Sequence, residues 1–515
     1  MGAALVWHGG VGSRKGLTMN LIDLTLTEAL QKLRAREITA TELTKAYLER
    51  IEKLNPKLNA FITITKERAL ADAAESDRRY AAGNPRPLEG IPIGMKDNFA
   101  TKGIRTTAAS HILENFIPEY ESTVSQKLED AGCVLFGKMN MSEFAMASTP
   151  KTSFFGPAVN PYKIEQKLSP GGSSSGSAAA VAAGLALCAT GTDTGNSIRF
   201  PASLTGLVGM KPTYGLCSRF GCVAFASSLD HPGSIARTVD DCALMLSVMA
   251  GHDENDSTSA PEADEIAKSL SEPLTELPLA GLKIGVIKEF ENLEIDEDIK
   301  SLWMHSTKVL SDLGAKIIEV SIPQILNVVT LYLVISRNEA SSNLTRYDGM
   351  RYGLRVDGKD LDDTYKKTRA AGFGNYVKMR LITGSVMLME KFYKDCFLQA
   401  TKIRRILDNE FNAAFEQCDL IISPASPCTA VPLNAADTAN SEFSDSQGWV
   451  ADTLQIGANM SGLPACSVPI GLSNGLPVGL QIMGRRFDDK RVLQLAKTIE
   501  KLSNINNRPT TIIEE

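Results

Sequence analysis

Ser169-Pro-Gly-Gly-Ser-Ser-Ser-Gly-Ser177 is followed by an alanine-rich run and then by Gly191-Thr-Asp-Thr-Gly-Asn-Ser-Ile-Arg-Phe-Pro201, so two Gly/Ser turns bracket one apolar segment. Glycine lets a backbone take positive φ and approach a ligand closely, and a neighbouring serine presents its hydroxyl beside free backbone N–H groups. That combination offers a nucleophile with an oxyanion site. A Gly/Ser cluster can also be a flexible linker. A linker, however, does not run straight into residues 178–189, which read as an apolar helix in need of burial, and then repeat its own turn chemistry before Ile198.

Outward from this segment the pattern is that of an α/β protein. Short apolar runs at 88–100, 134–137, 282–287, 317–320, 420–422 and 478–483 read as strands, and helical stretches such as 298–313 separate them. The first of these carries Gly90-Ile-Pro-Ile-Gly-Met-Lys-Asp-Asn98, which puts Lys96 just past a strand in an apolar setting. Near the start, Thr25-x-x-Glu28 and Thr39-x-x-Glu42 have capping-box spacing, and Leu43, Ala46, Tyr47, Ile51 and Leu54 fall on one helical face, so the fold opens with a helical hairpin. Residues 1–18 read as an extension outside the fold: an alternative start, a tag or a targeting remnant. Residues 19–515 read as one domain, with the polar, acidic stretch 251–280 as a surface connection.

Composition narrows the function. At 515 residues and 43% hydrophobic the chain can bury a large core. A net charge of −6 and the lack of a dense Lys/Arg block argue against a stand-alone nucleic-acid binder. The longest apolar run is too short to span a bilayer. Nine cysteines without a C-x-x-C pair suit a reducing compartment, with neither a disulfide scaffold nor a zinc site. No G-x-x-x-x-G-K-[ST] occurs, which excludes a P-loop. Gly172 to Gly176 fits the G-x-S-x-G elbow of serine hydrolases, but that triad needs a histidine. The five histidines, His8, His111, His231, His252 and His305, all read as surface or loop residues. A buried lysine kept neutral can serve as the base instead.

Four ordered motifs now carry a resemblance: Gly90 to Asn98, Pro170 to Ala180, Gly191 to Ala202, and Gly209-Met-Lys-Pro-Thr-Tyr-Gly215. Together they resemble the amidase signature family, over the chain from about residue 20 to its end. The resemblance implies an α/β fold with a mixed central sheet covered by helices on both faces. It implies a Ser-cisSer-Lys triad, with Ser197 as nucleophile, Ser173 as the bridging serine and Lys96 as base. The oxyanion would be held by the main chain of Thr194, Gly195, Asn196 and Ser197. One position departs from the pattern, since the family usually carries glycine where this chain has Asn196. If that backbone requires positive φ, asparagine is the next most tolerant residue.

The segments Glu339 to Gly353 and Gly372 to Gly384, and Asp452 ahead of Asn459-Met-Ser-Gly-Leu-Pro464, resemble the branch of the family that hydrolyses glutamine within tRNA-dependent amidotransferases. That likeness implies L-glutamine as substrate, with its α-carboxylate held by Arg380, its α-ammonium by Asp452, and Tyr332 lining the pocket. It further implies a heterotrimer with the amidotransferase B and C subunits, in which charged tRNA, tRNA(Gln) or tRNA(Asn), is gripped mainly by the B subunit. ATP and Mg2+ are then used by that partner, and this chain needs neither a cofactor nor a metal. A bacterial cytoplasm is the implied location, or an organelle if residues 1–18 are a targeting segment. A free-standing amidase and a catalytically silent scaffold stand as alternatives.

Overall fold

Among the described residues, eleven strands arranged in one mixed sheet form the centre of the fold. The computed structural model describes residues 20–434, 446–505 and 509, so the expected 1–18 extension lies outside the described residues. In chain order the strands are β1 (Phe61–Ile64), β2 (Pro92–Lys96), β3 (Val134–Met139), β4 (Cys188–Asp193), β5 (Val208–Lys211), β6 (His231–Ala236), β7 (Lys283–Ile287), β8 (Lys316–Val320), β9 (Leu420–Pro424), β10 (Ala465–Ser473) and β11 (Leu476–Met483). Their order across the sheet is β1-β3-β2-β4-β6-β5-β10-β11-β9-β7-β8. Pairing is parallel along β3-β2-β4 and along β9-β7-β8, and antiparallel elsewhere. Helices cover the sheet, and the central strands β2, β4 and β6 are buried along their whole length.

Both N-terminal capping boxes form. Thr25 and Glu28 exchange hydrogen bonds ahead of the Leu26–Arg34 helix, and Thr39 and Glu42 do so ahead of the Ala40–Leu58 helix. The buried face of the longer helix contains Leu43, Tyr47, Ile51 and Leu54 as the spacing predicts, and it packs on the Lys66–Ala82 helix. Asp241, in the Val239–Met249 helix, adds a cap from far along the chain, accepting from the main-chain N–H of Leu26 and of Thr27 at 3.0 Å each.

Two sequence expectations change at this level. The apolar run 178–189 is not one helix: the Ser175–Ala182 helix ends at Gly184, whose φ is +69°, and Cys188 already belongs to β4. An alanine-rich run carries no strong period, and the glycine is the local signal that decides it. His231 is not a loop residue but the first residue of β6, buried between β4 and β5, where burial drives its pKa well below the ordinary value. The stretch 251–280 contains the Ala263–Ser271 helix, which buries Ile266 and Leu270 against the Val239–Met249 helix. All nine cysteines are free thiols.

Candidate active site

Lys96 is the last residue of β2, next to β4 in parallel register. Side chains alternate along a strand, so Lys96 shares a face with Gly94, and that glycine leaves room for Met139 of β3, whose Cε would lie 1.5 Å from an added Cβ. The Lys96 side chain is fully buried. Its Nζ lies 2.7 Å from Thr192 Oγ1, 2.8 Å from Ser173 Oγ, 2.9 Å from Ser174 Oγ and 3.2 Å from the Thr192 carbonyl. No carboxylate is among these partners. Burial therefore pushes the Lys96 pKa down to about 7, against a smaller opposing pull from Cys222, Asp193 and Asp230. An amine in that state is half neutral at physiological pH and can accept a proton.

Ser173 stands in the turn that leads into the Ser175–Ala182 helix, and the Gly172–Ser173 peptide bond is cis. This turn is pressed against the chain that follows β3. The Ser173 carbonyl accepts from Ser142 N at 3.1 Å, and Gly176 N donates to the Asn140 carbonyl at 2.8 Å. A side chain at Gly176 would meet the Ala60 carbonyl at 2.3 Å, so only glycine allows this approach.

The second turn holds Ser197, 5% exposed and facing a cavity of about 500 Å³. Its shape is set by a buried ion pair that the sequence reading did not single out. Arg199 and Asp193 meet at 3.0 Å, both inaccessible to solvent. Asp193 Oδ2 accepts from Ile198 N at 3.0 Å, while Arg199 also donates to the Gly195 carbonyl at 2.8 Å and to Asn459 Oδ1 at 2.6 Å. Arg199 holds the Asp193 carboxyl well below the usual carboxylate range despite its burial. Asn459 closes the network by donating to the Asp193 side chain at 2.8 Å. The signal was present in Asp193-x5-Arg199, two opposite charges inside an otherwise apolar and small-residue motif, where a buried pair is their only comfortable state.

Because this clamp bonds the ends of the turn, its middle is left open. Among the described residues, the main-chain N–H groups of Thr194, Gly195, Asn196 and Ser197 donate to no protein acceptor, although the turn is buried. Buried N–H groups normally find a partner. Four in succession beside a serine hydroxyl form a concavity for an anion. Among the described residues, no hydrogen bond reaches the Ser197 hydroxyl, so the structure joins Lys96 to Ser173 directly and sets Ser197 on the cavity side of them.

Arg380, Asp452 and Tyr332 line the same cavity as Ser197. Arg380 belongs to the Asn375–Met387 helix, where its Nη2 donates to Tyr376 Oη at 2.7 Å and its guanidinium lies 4.6 Å from the Tyr376 ring centre. Tyr332 comes from the Val328–Asn343 helix, and its ring carbon would stand 3.2 Å from a Cβ at position 195. Asp452, in the Ser446–Met460 helix, is pushed up to about 7 by burial, and both the positive charge of Arg380 and a hydrogen bond from Asn196 pull it back. Asn196 lies outside the left-handed region, so the strain considered for it from the sequence is absent. The cavity thus presents the cationic side chains of Arg380 and Lys151 and the carboxyl of Asp452 beside a hydroxyl and four open main-chain N–H groups. Among the described residues, no group of three His, Cys, Asp or Glu side chains could hold a metal ion, and no helix is long and apolar enough to cross a membrane.

Known proteins resemble this chain over most of its length. The family model described as Amidase matches residues 42–493. The A subunit of glutamyl-tRNA(Gln) amidotransferase from Rhizobium etli is 48% identical over 486 residues, covering 93% of this chain and 97% of that protein. The protein of the same name from Thermoanaerobacter pseudethanolicus is 46% identical over 497 residues, covering 96% and 99%. Among solved structures, the A subunit of glutamyl-tRNA(Gln) amidotransferase from Thermotoga maritima superposes with a TM-score of 0.75 at 38% identity, covering 94% of this chain and 96% of that one. The peptide amidase of Stenotrophomonas maltophilia superposes with a TM-score of 0.78 at 29% identity, covering 95% and 98%.

Proposed function

The chain belongs to the amidase family, and on that premise we propose that it is the glutamine-hydrolysing A subunit of a tRNA-dependent amidotransferase. The observation that carries the substrate is the pairing of Arg380 and Asp452 across one cavity with Ser197. A guanidinium fork suits a carboxylate and a carboxylate suits an ammonium, so the two together select a free amino acid over a simple amide. A cavity of about 500 Å³ accommodates glutamine.

The chemistry follows from the placement of each group. Neutral Lys96 takes the proton of Ser173 Oγ, which in turn takes that of Ser197 Oγ as it attacks the γ-carboxamide carbon. The carbonyl oxygen becomes an oxyanion against the N–H groups of Thr194 to Ser197, each such donor contributing about 3 kcal/mol to the transition state. The relayed proton passes to the leaving nitrogen, the C–N bond breaks, and ammonia departs from a γ-glutamyl ester on Ser197. Water then adds to the ester along the reverse proton route and releases glutamate.

The ammonia is used by partners. The B subunit activates the misacylated glutamate (or aspartate) on tRNA with ATP and Mg2+, and the small C subunit stabilises the pair. Two features support this division of labour. The chain has net charge −6 and no dense basic run for tRNA. The Asn375–Met387 helix, which turns Arg380 inward, also displays Met379, Ile382 and Val386 at helical spacing on its outer side, with Met389 beyond its end; Ile382 is 65% exposed. An apolar row of this kind is what an assembled partner covers.

The test is ammonia release from L-glutamine by the purified chain, with and without the B and C subunits, ATP, Mg2+ and glutamate-charged tRNA(Gln). Glutamine hydrolysis that couples to tRNA amidation in the assembled enzyme supports the proposal. Strong hydrolysis of unrelated amides by the chain alone favours a free-standing amidase, the reading that the overlay with a peptide amidase keeps in play.

A further inference from the structure

The residue before Ser197 has both polar atoms of its side chain engaged at the cavity wall. Asn196 Oδ1 accepts from Ser148 Oγ at 3.1 Å, and Asn196 Nδ2 donates to Asp452 Oδ1 at 2.7 Å. An ionised carboxylate only accepts, so the amide nitrogen must face Asp452, and the Ser148 hydroxyl then has the amide oxygen to donate to. The carboxamide has one orientation that satisfies both neighbours. Asn196 is 2% exposed, and its backbone is unstrained. It ties the turn that carries the candidate nucleophile to the Ser446–Met460 helix, 256 positions away in the chain.

We propose that Asn196 is a positioning residue for substrate recognition: its carboxamide aims the Asp452 carboxylate at a cationic group on the substrate while its main chain serves the reacting carbonyl. This rests on the glutamine reading above. The other groups that face Asp452 are the Arg380 guanidinium and the Tyr376 phenol from the Asn375–Met387 helix and the Tyr332 phenol from the Val328–Asn343 helix, with Lys151 lining the same cavity. Burial pushes the Asp452 carboxyl up, and Arg380 and Asn196 are the two groups that hold it down. With Asn196 removed, the carboxylate loses its fixed donor, so it both swings more freely and takes up a proton at higher pH. A glycine here, the residue usual in the family, supplies the same main-chain N–H but not this hold.

The experiment compares wild type with Asn196→Gly and Asn196→Ala, the second covering any loosening of the turn by glycine. L-glutamine and glutaramate, which is glutamine without its α-amino group, are the two substrates, assayed in the assembled enzyme across the neutral pH range. The Asp452 carboxyl is titrated separately by 13C NMR on aspartate-labelled protein, with Asp452→Asn assigning the signal. The expected result is a rise of about tenfold in KM for glutamine with kcat changed by less than about threefold, and no change with glutaramate. The acid limb of kcat/KM for glutamine and the Asp452 titration both move to higher pH. An Asp452 titration and a glutamine KM that stay in place, while wild type strongly prefers glutamine, overturn the role of Asn196 alone. A titration that moves while wild type takes glutaramate as well as glutamine overturns recognition of an ammonium and the glutamine reading together.

Discussion

Replacing Lys96 by methionine separates the cost of the site from its use. The Lys96 amine is enclosed by oxygens of Ser173, Ser174 and Thr192 and by no carboxylate, and burial pushes its pKa down to about 7. In the unfolded chain the same lysine keeps its proton up to about 10.4. Below pH 7 both states are protonated and the native state bears the whole burial penalty, on the order of 4 to 5 kcal/mol. Between the two values the unfolded chain binds one more proton than the native one, so wild-type stability rises by about 1.4 kcal/mol per pH unit. Methionine has no proton to lose. It removes the penalty and forfeits hydrogen bonds with three hydroxyls and a carbonyl, each of about 1 kcal/mol. Lys96→Met is therefore at least as stable as wild type below pH 7. Its advantage then falls by about 2 to 3 kcal/mol from roughly pH 7.5 to 9.5. Urea unfolding of both proteins across that range reads the difference directly and cancels the titration of other groups. Glutamine hydrolysis by the variant falls by about a thousandfold or more, because Ser173 has lost its proton acceptor. A stability difference that is flat with pH refutes the neutral lysine, and retained hydrolysis refutes its role as base.

Three other outcomes are expected. The kcat/KM of wild type for glutamine rises with pH through about 7, since Lys96 becomes a free base and Asp452 a carboxylate over the same range; a profile flat from pH 6 to 8 contradicts both assignments. Arg380→Ala and Asp452→Ala each raise the KM for glutamine more than about tenfold, the loss of a charge-assisted contact, and leave amidation with added ammonium intact in the assembled enzyme. Arg199→Ala strands the buried Asp193 charge and costs about 3 to 5 kcal/mol in urea unfolding, with hydrolysis lost because the 193–199 turn no longer holds its open N–H groups.

The sequence is most legible where a residue's role is local. The capping boxes at Thr25 and Thr39 are set by spacing alone, and both form. Strands 282–287, 317–320, 420–422 and 478–483 are readable as short apolar runs between turns, and each appears within about two residues of the reading. Gly/Ser turns at 169–177 and 191–201 mark the cavity floor for the same reason. Contacts across long separations are not legible. Nothing near Asn196 in the chain announces that Asp452 will accept from it, and with only the backbone to reason from, its departure from glycine reads as a question of φ. The 178–189 run reads as one helix because Ala, Leu and Cys serve a buried strand as well as a buried helix. His231 reads as a surface residue because a single polar residue carries no sign of the central strand it begins. Arg380 and Asp452 are found through family motifs, and the fold is what sets them around one cavity.

The covalent intermediate is the most direct test of the account. Mixing the assembled enzyme with L-glutamine, quenching in acid within the first turnovers and mapping the peptides by mass spectrometry locates the acyl group. The expected result is a γ-glutamyl ester on Ser197, formed as ammonia is released, and neither ester nor ammonia from Ser197→Ala. Ammonia released at the wild-type rate by Ser197→Ala, or an acyl group carried by another residue, contradicts it.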